Sequence, residues 1–228
     1  MPGTDSIRHP LTRTLLVLTL TTGVIDAACY LGLGRVFAAN MTGNVVLLGF
    51  GIAGSSGLPV VAPLVSLFAF LAGAVVGGRM AVKLPPKETH LARAMLIEVA
   101  LIGLATLLAI VFDITPDHFS GDLIIALLAF AMGTRNATVR RLKVADLSTT
   151  VLTMTLTGLA ADSRLAGGDG SGGWRRGGAV ASMLVGALVG ALLVKADLAL
   201  VLLAAGLLTL ATWLVFMPGA MASGEQPQ

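Results

Sequence analysis

The sequence predicts an all-α integral membrane protein made of two inverted three-helix repeats, each with a short broken or re-entrant polar segment. Three observations lead to this fold class: an apolar composition, six long apolar runs and an internal repeat. Of the 228 residues, 56% are hydrophobic and only 12% are charged, whereas soluble domains carry about 25% charged residues. A chain this apolar is expected to lie in a lipid bilayer.

Six apolar runs are long enough, or nearly so, to cross the bilayer as helices, which takes roughly 17 to 25 residues. They are 14–33, 59–78, 92–112, 122–136, 178–194 and 198–216. Two further runs, 36–53 and 144–160, are shorter and are interrupted by hydroxyl and amide side chains. We therefore predict six membrane-spanning helices and two short segments that do not cross completely.

Four short segments of the first half of the chain match four segments of the second half in the same order, which indicates a duplicated unit. The pairs are 23–27 with 133–137, 36–42 with 144–150, 73–77 with 186–190, and 103–107 with 206–210. In the first pair Asp26 corresponds to Asn136. An acid in one copy is therefore an amide in the other.

The distribution of basic residues predicts the orientation of the helices, because Lys and Arg are enriched on the cytoplasmic side. With six spans, only Arg35 and Lys195 of the 15 Lys and Arg residues fall outside. Each repeat then has an odd number of spans, so the two copies are inverted and both termini are cytoplasmic. The predicted regions are an N-terminal tail (1–12), repeat 1 (13–112), an external loop (113–121), repeat 2 (122–217) and a C-terminal tail (218–228).

The two short runs carry clusters of polar side chains at matching places of the two repeats. These are Asn40, Thr42 and Asn44 around Gly43 in the first run, and Ser148, Thr149 and Thr150 in the second. Non-helical backbone at membrane depth is tolerated only where it is buried in protein or lines a watery cavity. In transporters built from inverted repeats, such elements hold the substrate and the coupling ion. We predict that both clusters line a binding site, although the same side chains could serve only to pack helices.

Asp26 is the ionisable residue that points most directly to function. A charged side chain at the centre of a span costs at least about 2.5 kcal/mol, so it is a candidate for binding an ion or a proton. The alternatives are a helix–helix hydrogen bond or an ion pair with Arg35 or Arg135. Arg135, next to Asn136, could instead bind an anionic substrate. Glu98 is interpreted as a residue near the inner end of its helix, either ion-paired or extending its charge toward the interface.

The residues of the first polar run resemble a known family. The block 34–44 (GRVFAANMTGN), preceded by Gly23-x-x-Asp26 and followed by GTRNA (133–137) and TTVLT (149–153), resembles the YoaK-like family of bacterial multi-pass inner-membrane proteins. The similarity extends over nearly the whole chain, and the MTGN block is its most specific part. The resemblance implies a location in the bacterial inner membrane. It implies no activity, because the family is a domain of unknown function.

The sequence offers little support for an enzyme. His9, His90 and His118 all lie in predicted loops, so no base is expected beside Ser56 to activate it as a nucleophile. Neither a pair of histidines with metal-ligand spacing nor a phosphate-binding loop is present. Cys29 is the only cysteine, which excludes an internal disulfide. We expect no enzymatic activity, no cofactor or metal, and no nucleic-acid partner.

The favoured function is that of a small secondary transporter, moving a small solute with ion or proton coupling. The alternative is a non-transporting membrane protein that scaffolds or senses a partner. The expected partners are the lipid bilayer and a small molecule or ion. A homo-oligomer stays open as a further possibility.

Overall fold

The computed structural model of the chain describes residues 10–55, 57–83, 87–112, 114, 118–142 and 152–224. Within these ranges the regular structure is helical. The α-helices are α1 (Pro10–Gly32), α2 (Met41–Ile52), α3 (Val61–Lys83), α4 (Lys87–Val111), α5 (Phe119–Leu142), α6 (Leu152–Ala161), α7 (Gly173–Val194) and α8 (Leu198–Gly224). A short 3-10 helix, Arg164–Ala166, lies between α6 and α7.

Six of these helices are long and apolar enough to cross a membrane, by their length and composition: α1, α3, α4, α5, α7 and α8. The other two, α2 and α6, have 12 and 10 residues. At 1.5 Å per residue they measure about 18 and about 15 Å, well short of the roughly 30 Å of hydrocarbon. For the part of the chain that the structure describes, the predicted six long spans and two short elements are confirmed.

Each short helix covers only the later part of its polar run. In the run 36–53 the helix begins at Met41, after a segment without regular structure. In the run 144–160 it begins at Leu152, and residues 143–151 lie outside the described part of the chain. The first polar run therefore consists of an irregular segment followed by a short helix.

The long helices extend beyond the apolar runs that predicted them. α5 ends at Leu142 rather than near residue 136, and α8 continues to Gly224 rather than to residue 216. The last turn of α5 contains two arginines, which suit the negative end of the helix dipole and can extend their charges toward water. Hydropathy detects only the lipid-buried part of a helix, so it underestimates the helix length.

The long helices pack around a core that lies between α1, α4, α5 and α8. α1 lies along α7, α3 lies along α5, and α4 packs against both α5 and α8, while α8 also packs against α1. The core contains fully buried Ile25, Ile102 and Leu128. Large apolar side chains on α3 and α7, such as Phe68 and Leu184, point outward. This is the arrangement expected for helices whose outer faces meet lipid.

Glycines allow the backbones of two helix pairs to come close together. A Cβ atom at Gly186 of α7 would overlap the carbonyl oxygen of Leu20 in α1. A Cβ atom at Gly73 of α3 would overlap the carbonyl oxygen of Phe130 in α5. Small residues at such contacts are typical of membrane helices, which associate largely through close van der Waals packing.

Candidate functional site

The chain reverses direction directly after α1. Gly34 and Arg35 adopt positive φ angles of 126° and 55°, a range that glycine enters readily because it has no Cβ. The Arg35 side chain is held by a hydrogen bond from Nη1 to the carbonyl of Gly57 at 3.1 Å. As a result, residues 36–40 return toward α1 without regular secondary structure. We call residues 36–40 the returning segment.

Asp26 on α1 holds the returning segment in place. One of its carboxyl oxygens, Oδ1, accepts hydrogen bonds from the backbone N–H groups of Ala38 and Ala39, each at 2.9 Å. The side chain is only 5% exposed. Backbone N–H groups without a partner are costly in an apolar environment. The carboxyl group therefore stabilises a stretch of backbone that has left the helical conformation.

Asn44, in the first turn of α2, binds both backbone groups of Phe37. Its Oδ1 accepts from the Phe37 N–H at 2.9 Å, and its Nδ2 donates to the Phe37 carbonyl at 2.7 Å and to Ser66 Oγ at 3.0 Å. Ser66 Oγ also donates to the Phe37 carbonyl, at 2.7 Å. Asn44 is fully buried. Its amide replaces the partners that Phe37 would have in a helix and joins the returning segment to α3.

The neighbouring residues of the motif have different roles. Asn40 Oδ1 accepts from the N–H of Gly43 at 3.2 Å and so caps the start of α2, a position where asparagine is favoured. A Cβ atom at Gly43 would lie 2.9 Å from the ring of Phe37, so a larger residue does not fit there. Thr42 is exposed. Most of this polar cluster therefore builds the break in the helical structure.

Asn44→Ala is expected to lower the free energy of unfolding by about 1–3 kcal/mol, because it leaves the backbone groups of Phe37 without their amide partner. Thr42→Ala, on the same turn but exposed, is the matched control and is expected to change it by no more than about 0.5 kcal/mol. Thermal unfolding of the two purified variants in detergent measures the difference. Equal melting temperatures would contradict the structural role of Asn44.

Asp26 and Asn40 border a cavity of about 200 Å³. Its lining comes from α1, the returning segment, the start of α6 and the middle of α7, and consists of Thr22, Asp26, Ala39, Asn40, Leu152, Thr153 and Met183. The second carboxyl oxygen of Asp26, Oδ2, is buried and has no hydrogen-bond partner among the described residues. One water occupies about 30 Å³ in the liquid. The cavity therefore has room for a few waters or one small solute.

Arg135 on α5 forms a buried ion pair with Glu98 on α4. Its Nη1 lies 2.8 Å from Glu98 Oε1, and both side chains are fully buried. Its Nη2 donates to Thr22 Oγ1 on α1. Thr209 on α8 completes the group by donating from Oγ1 to Glu98 Oε1 at 3.4 Å. One guanidinium group thus links the ion pair to a residue of the cavity wall.

This arrangement corrects two interpretations made from the sequence. Arg135 and Arg35 were candidate ion-pair partners of Asp26, but Arg135 pairs with Glu98, and Arg35 is exposed and bound to the carbonyl of Gly57. Glu98 is not an end residue, because it lies fully buried in the interior of α4. The signal that could have identified it is its place inside an apolar run, where an unpaired charge is as costly as at Asp26.

Contacts at the C-terminal end of α6 attach this helix to α7, and its N-terminal end lies at the cavity. Arg176 near the start of α7 donates from Nη1 to the carbonyl of Gly158 at 2.7 Å, and the same nitrogen lies 2.7 Å from Asp162 Oδ2. These bonds attach the last turn of α6 to α7. With that end held, Leu152 and Thr153 in the first turn of α6 contribute to the cavity wall.

The structure brings together some of the predicted site residues and not others. Asp26 and Asn40 line the cavity, and Arg135 reaches its wall through Thr22. Four others lie outside the lining: Thr42, Gly43 and Asn44 on α2, and the partly buried Asn136 on α5. The predicted residues of the second polar run lie outside the described part of the chain: Ser148, Thr149 and Thr150.

Sequence reasoning missed five of the seven residues of the cavity wall, namely Thr22, Ala39, Leu152, Thr153 and Met183. Thr22 lies four residues before Asp26 on the same helix, and residues at that spacing share one helix face. This spacing could have identified it. Met183 has no comparable signal. Among the residues that the structure describes, no group of three His, Cys, Asp or Glu side chains is placed to hold a metal ion.

Comparisons with known proteins agree with the helical membrane architecture. A family model described as a protein of unknown function (DUF1275) matches residues 14–217. The chain is 34% identical over 150 residues to the UPF0700 transmembrane protein YoaK of Bacillus subtilis (strain 168), an alignment that covers 65% of this chain and 65% of the length of that protein. No solved structure gives a significant match. Neither description names a substrate or an activity.

Proposed function

The chain belongs to the DUF1275 family, whose function is unknown, and from its cavity we propose that it is a small secondary transporter that moves a small solute with ion or proton coupling. It is a multi-pass membrane protein, with six helices long and apolar enough to span the bilayer among its described residues. The observation that carries the proposal is that Asp26, a residue lining a cavity of mixed polar and apolar surface, has a buried Oδ2 without a hydrogen-bond partner among the described residues. A cavity with such a group is suited to binding a ligand.

The two halves of the chain, α1 to α4 and α5 to α8, are proposed to be inverted repeats. In this arrangement α1 corresponds to α5, α3 to α7, and α4 to α8. The contact of α1 with α7 then corresponds to that of α5 with α3, and the contact of α4 with α5 to that of α8 with α1. The close glycine contacts correspond in the same way, because Gly186 meets Leu20 where Gly73 meets Phe130. Each half contains three long helices, and an odd number of spans reverses the direction of the second copy. These correspondences support the inverted arrangement.

The proposed topology places both termini in the cytoplasm and the protein in a bacterial inner membrane, as the positive-inside rule favours. From the cavity, α2 then runs toward the outer surface and α6 toward the inner surface. Asn40, directly before α2, and Leu152, the first residue of α6, both line the cavity. Broken elements that meet at a central site are the means by which transporters of inverted repeats bind substrates.

Asp26 is the proposed coupling group. Its carboxylate can hold a proton or a cation and release it, whereas the amide of Asn136 at the corresponding place in the other repeat cannot. One coupling group per chain is therefore proposed. Arg135 on α5 is the charged group of the described chain that acts electrostatically on Asp26, and Asp26 in turn acts on Cys29 of the same helix.

The alternative function, a non-transporting membrane protein that scaffolds or senses a partner, draws support from a different set of contacts. Asn44 and the Oδ1 atom of Asp26 are fully used in stabilising the returning segment. Those contacts need no ligand. They do not account for the cavity or for Oδ2 of Asp26, and for that reason transport is the favoured proposal.

Reconstitution of the purified protein into liposomes containing a pH-sensitive dye tests the transport proposal. Small solutes are added one at a time, with and without an imposed pH or sodium gradient, and at least one is expected to produce coupled flux. Thr153→Trp fills the cavity and is expected to stop that flux. Thr157→Trp, one turn further along α6 and outside the lining, is expected to retain it. Equal flux in the two variants would contradict transport through this cavity.

A further inference from the structure

We propose that the cavity binds a single small monovalent cation, either an alkali-metal ion or a protonated amine, held by Asp26. The inference rests on the proposed function in that it names the ligand class of the same cavity. Asp26 lines the cavity, and its Oδ1 is occupied by two backbone N–H groups, whereas its Oδ2 is buried with no hydrogen-bond partner in the described chain. A buried carboxylate oxygen is stable only when it is paired or receives a hydrogen bond. A cation supplies what Oδ2 lacks.

Thr22 adds a second acceptor to the cavity wall. Its hydroxyl donates to the carbonyl of Leu18 at 2.9 Å, so its one proton is already used. Its oxygen accepts from Arg135 Nη2, and Arg135 is in turn fixed by Glu98. Thr22 lines the cavity, and any ligand that reaches its oxygen meets only a lone pair. Arg135 acts here as a positioning residue, because it holds Thr22 in this state.

The charges buried in the bundle leave one negative charge to be balanced. Among the described residues the charged side chains buried in its interior are Asp26, Glu98 and Arg135. The buried Arg175 lies in the first turn of α7, at the proposed inner surface. Arg135 and Glu98 neutralise each other across 2.8 Å. Among the described residues Asp26 is then left without a counter-charge of its own, which one monovalent cation would supply.

The other features of the wall limit the ligand further. A divalent metal ion is disfavoured because the cavity supplies one carboxylate, and in the described part of the chain no three metal-binding side chains come together. The amide of Asn40 and the hydroxyl of Thr153 can serve water or a polar ligand, while Leu152 and Met183 provide apolar surface. A volume of about 200 Å³ suits an alkali-metal ion with its waters or a small alkylammonium ion.

Binding to the purified protein in detergent tests this inference without any need for transport. The melting temperature is measured at fixed pH and fixed chloride concentration with sodium, potassium or methylammonium, and with N-methylglucamine as a bulky control cation. We expect at least one small cation to raise the melting temperature saturably, while N-methylglucamine does not. Comparing the rise with sodium or potassium to the rise with methylammonium distinguishes an alkali-metal ion from a protonated amine.

Variants assign the effect to the cavity. Asp26→Asn is expected to remove the cation-dependent rise, and Thr22→Val to weaken the apparent affinity by roughly tenfold, as loss of one contact to a charged ligand predicts. Thr106→Val is the control, since Thr106 is a buried threonine that donates to its own helix at Ile102 and lies outside the cavity. Thr22→Val keeps the test decisive if Asp26→Asn does not fold.

Several outcomes would overturn the inference. These are the absence of a rise with every small cation, an equal rise in wild type and both cavity variants, or a melting temperature that depends through Asp26 on pH alone. The last result would leave a proton-coupled transporter in place. Conversely, cation binding without flux in liposomes would support the cation site and contradict the transporter, so the two proposals fail separately.

Discussion

Asp26→Asn is expected to abolish ion-coupled flux while leaving the melting temperature near that of the wild type or slightly above it. The amide oxygen of asparagine can still accept the N–H groups of Ala38 and Ala39, so the returning segment keeps its partners. The substitution removes an unpaired buried charge, which is neutral or favourable for stability. An amide cannot hold and release a proton or balance a cation. We therefore expect this one substitution to abolish coupling without disturbing the fold.

Asp26→Ala is the contrasting variant. It removes the acceptor as well as the charge, and we expect it to lower the free energy of unfolding by about 1–3 kcal/mol, because two buried N–H groups lose their partner. Flux into proteoliposomes and melting temperature in detergent are measured for both variants. Full coupled activity in Asp26→Asn would exclude Asp26 as the coupling group, whatever the stability of the alanine variant.

Arg135→Ala is expected to destabilise the protein by about 3–5 kcal/mol, because it leaves the buried carboxylate of Glu98 without its counter-charge. The proposed repeat indicates what could replace the pair. By the internal matches, Arg135 corresponds to Ile25 and Glu98 to Val201, and both of these apolar residues are fully buried in the core. In the proposed repeat, the positions that correspond to the ion pair therefore hold apolar residues.

The double variant Glu98→Val with Arg135→Ile copies the apolar pair of the other repeat. It is expected to recover most of the stability lost in Arg135→Ala, since well-packed apolar residues commonly replace a buried ion pair without loss. Thr22 then no longer accepts a hydrogen bond from Arg135, which holds its side chain in position. Cation affinity is therefore expected to fall even though the fold is restored. Thermal unfolding and cation titration separate the two effects. A double variant as unstable as the single one would show that the ion pair is required for folding.

For the polar cluster around Gly43, the sequence predicts the break in the helix but not the direction of each side chain. Amides and glycine inside an apolar run indicate a break in the helix, because the backbone groups of a break need polar partners. The direction of each side chain cannot be predicted in this way. Asn40 and Asn44 are close in sequence, yet Asn40 lines the cavity whereas Asn44 is buried against Phe37 and Ser66. Periodicity assigns faces only within a regular helix, and here the helix begins between them.

The sequence by itself determined the membrane class, the six long helices and the position of the break, because these depend on the length of apolar runs and on polar residues within them. Tertiary structure decided which distant groups meet. Arg135 pairs with Glu98 rather than Asp26, and Thr153 of α6 joins Asp26 of α1 at one cavity. Such contacts depend on how whole helices pack against each other, and a buried charge is stabilised by whichever partner the packing brings within hydrogen-bonding distance.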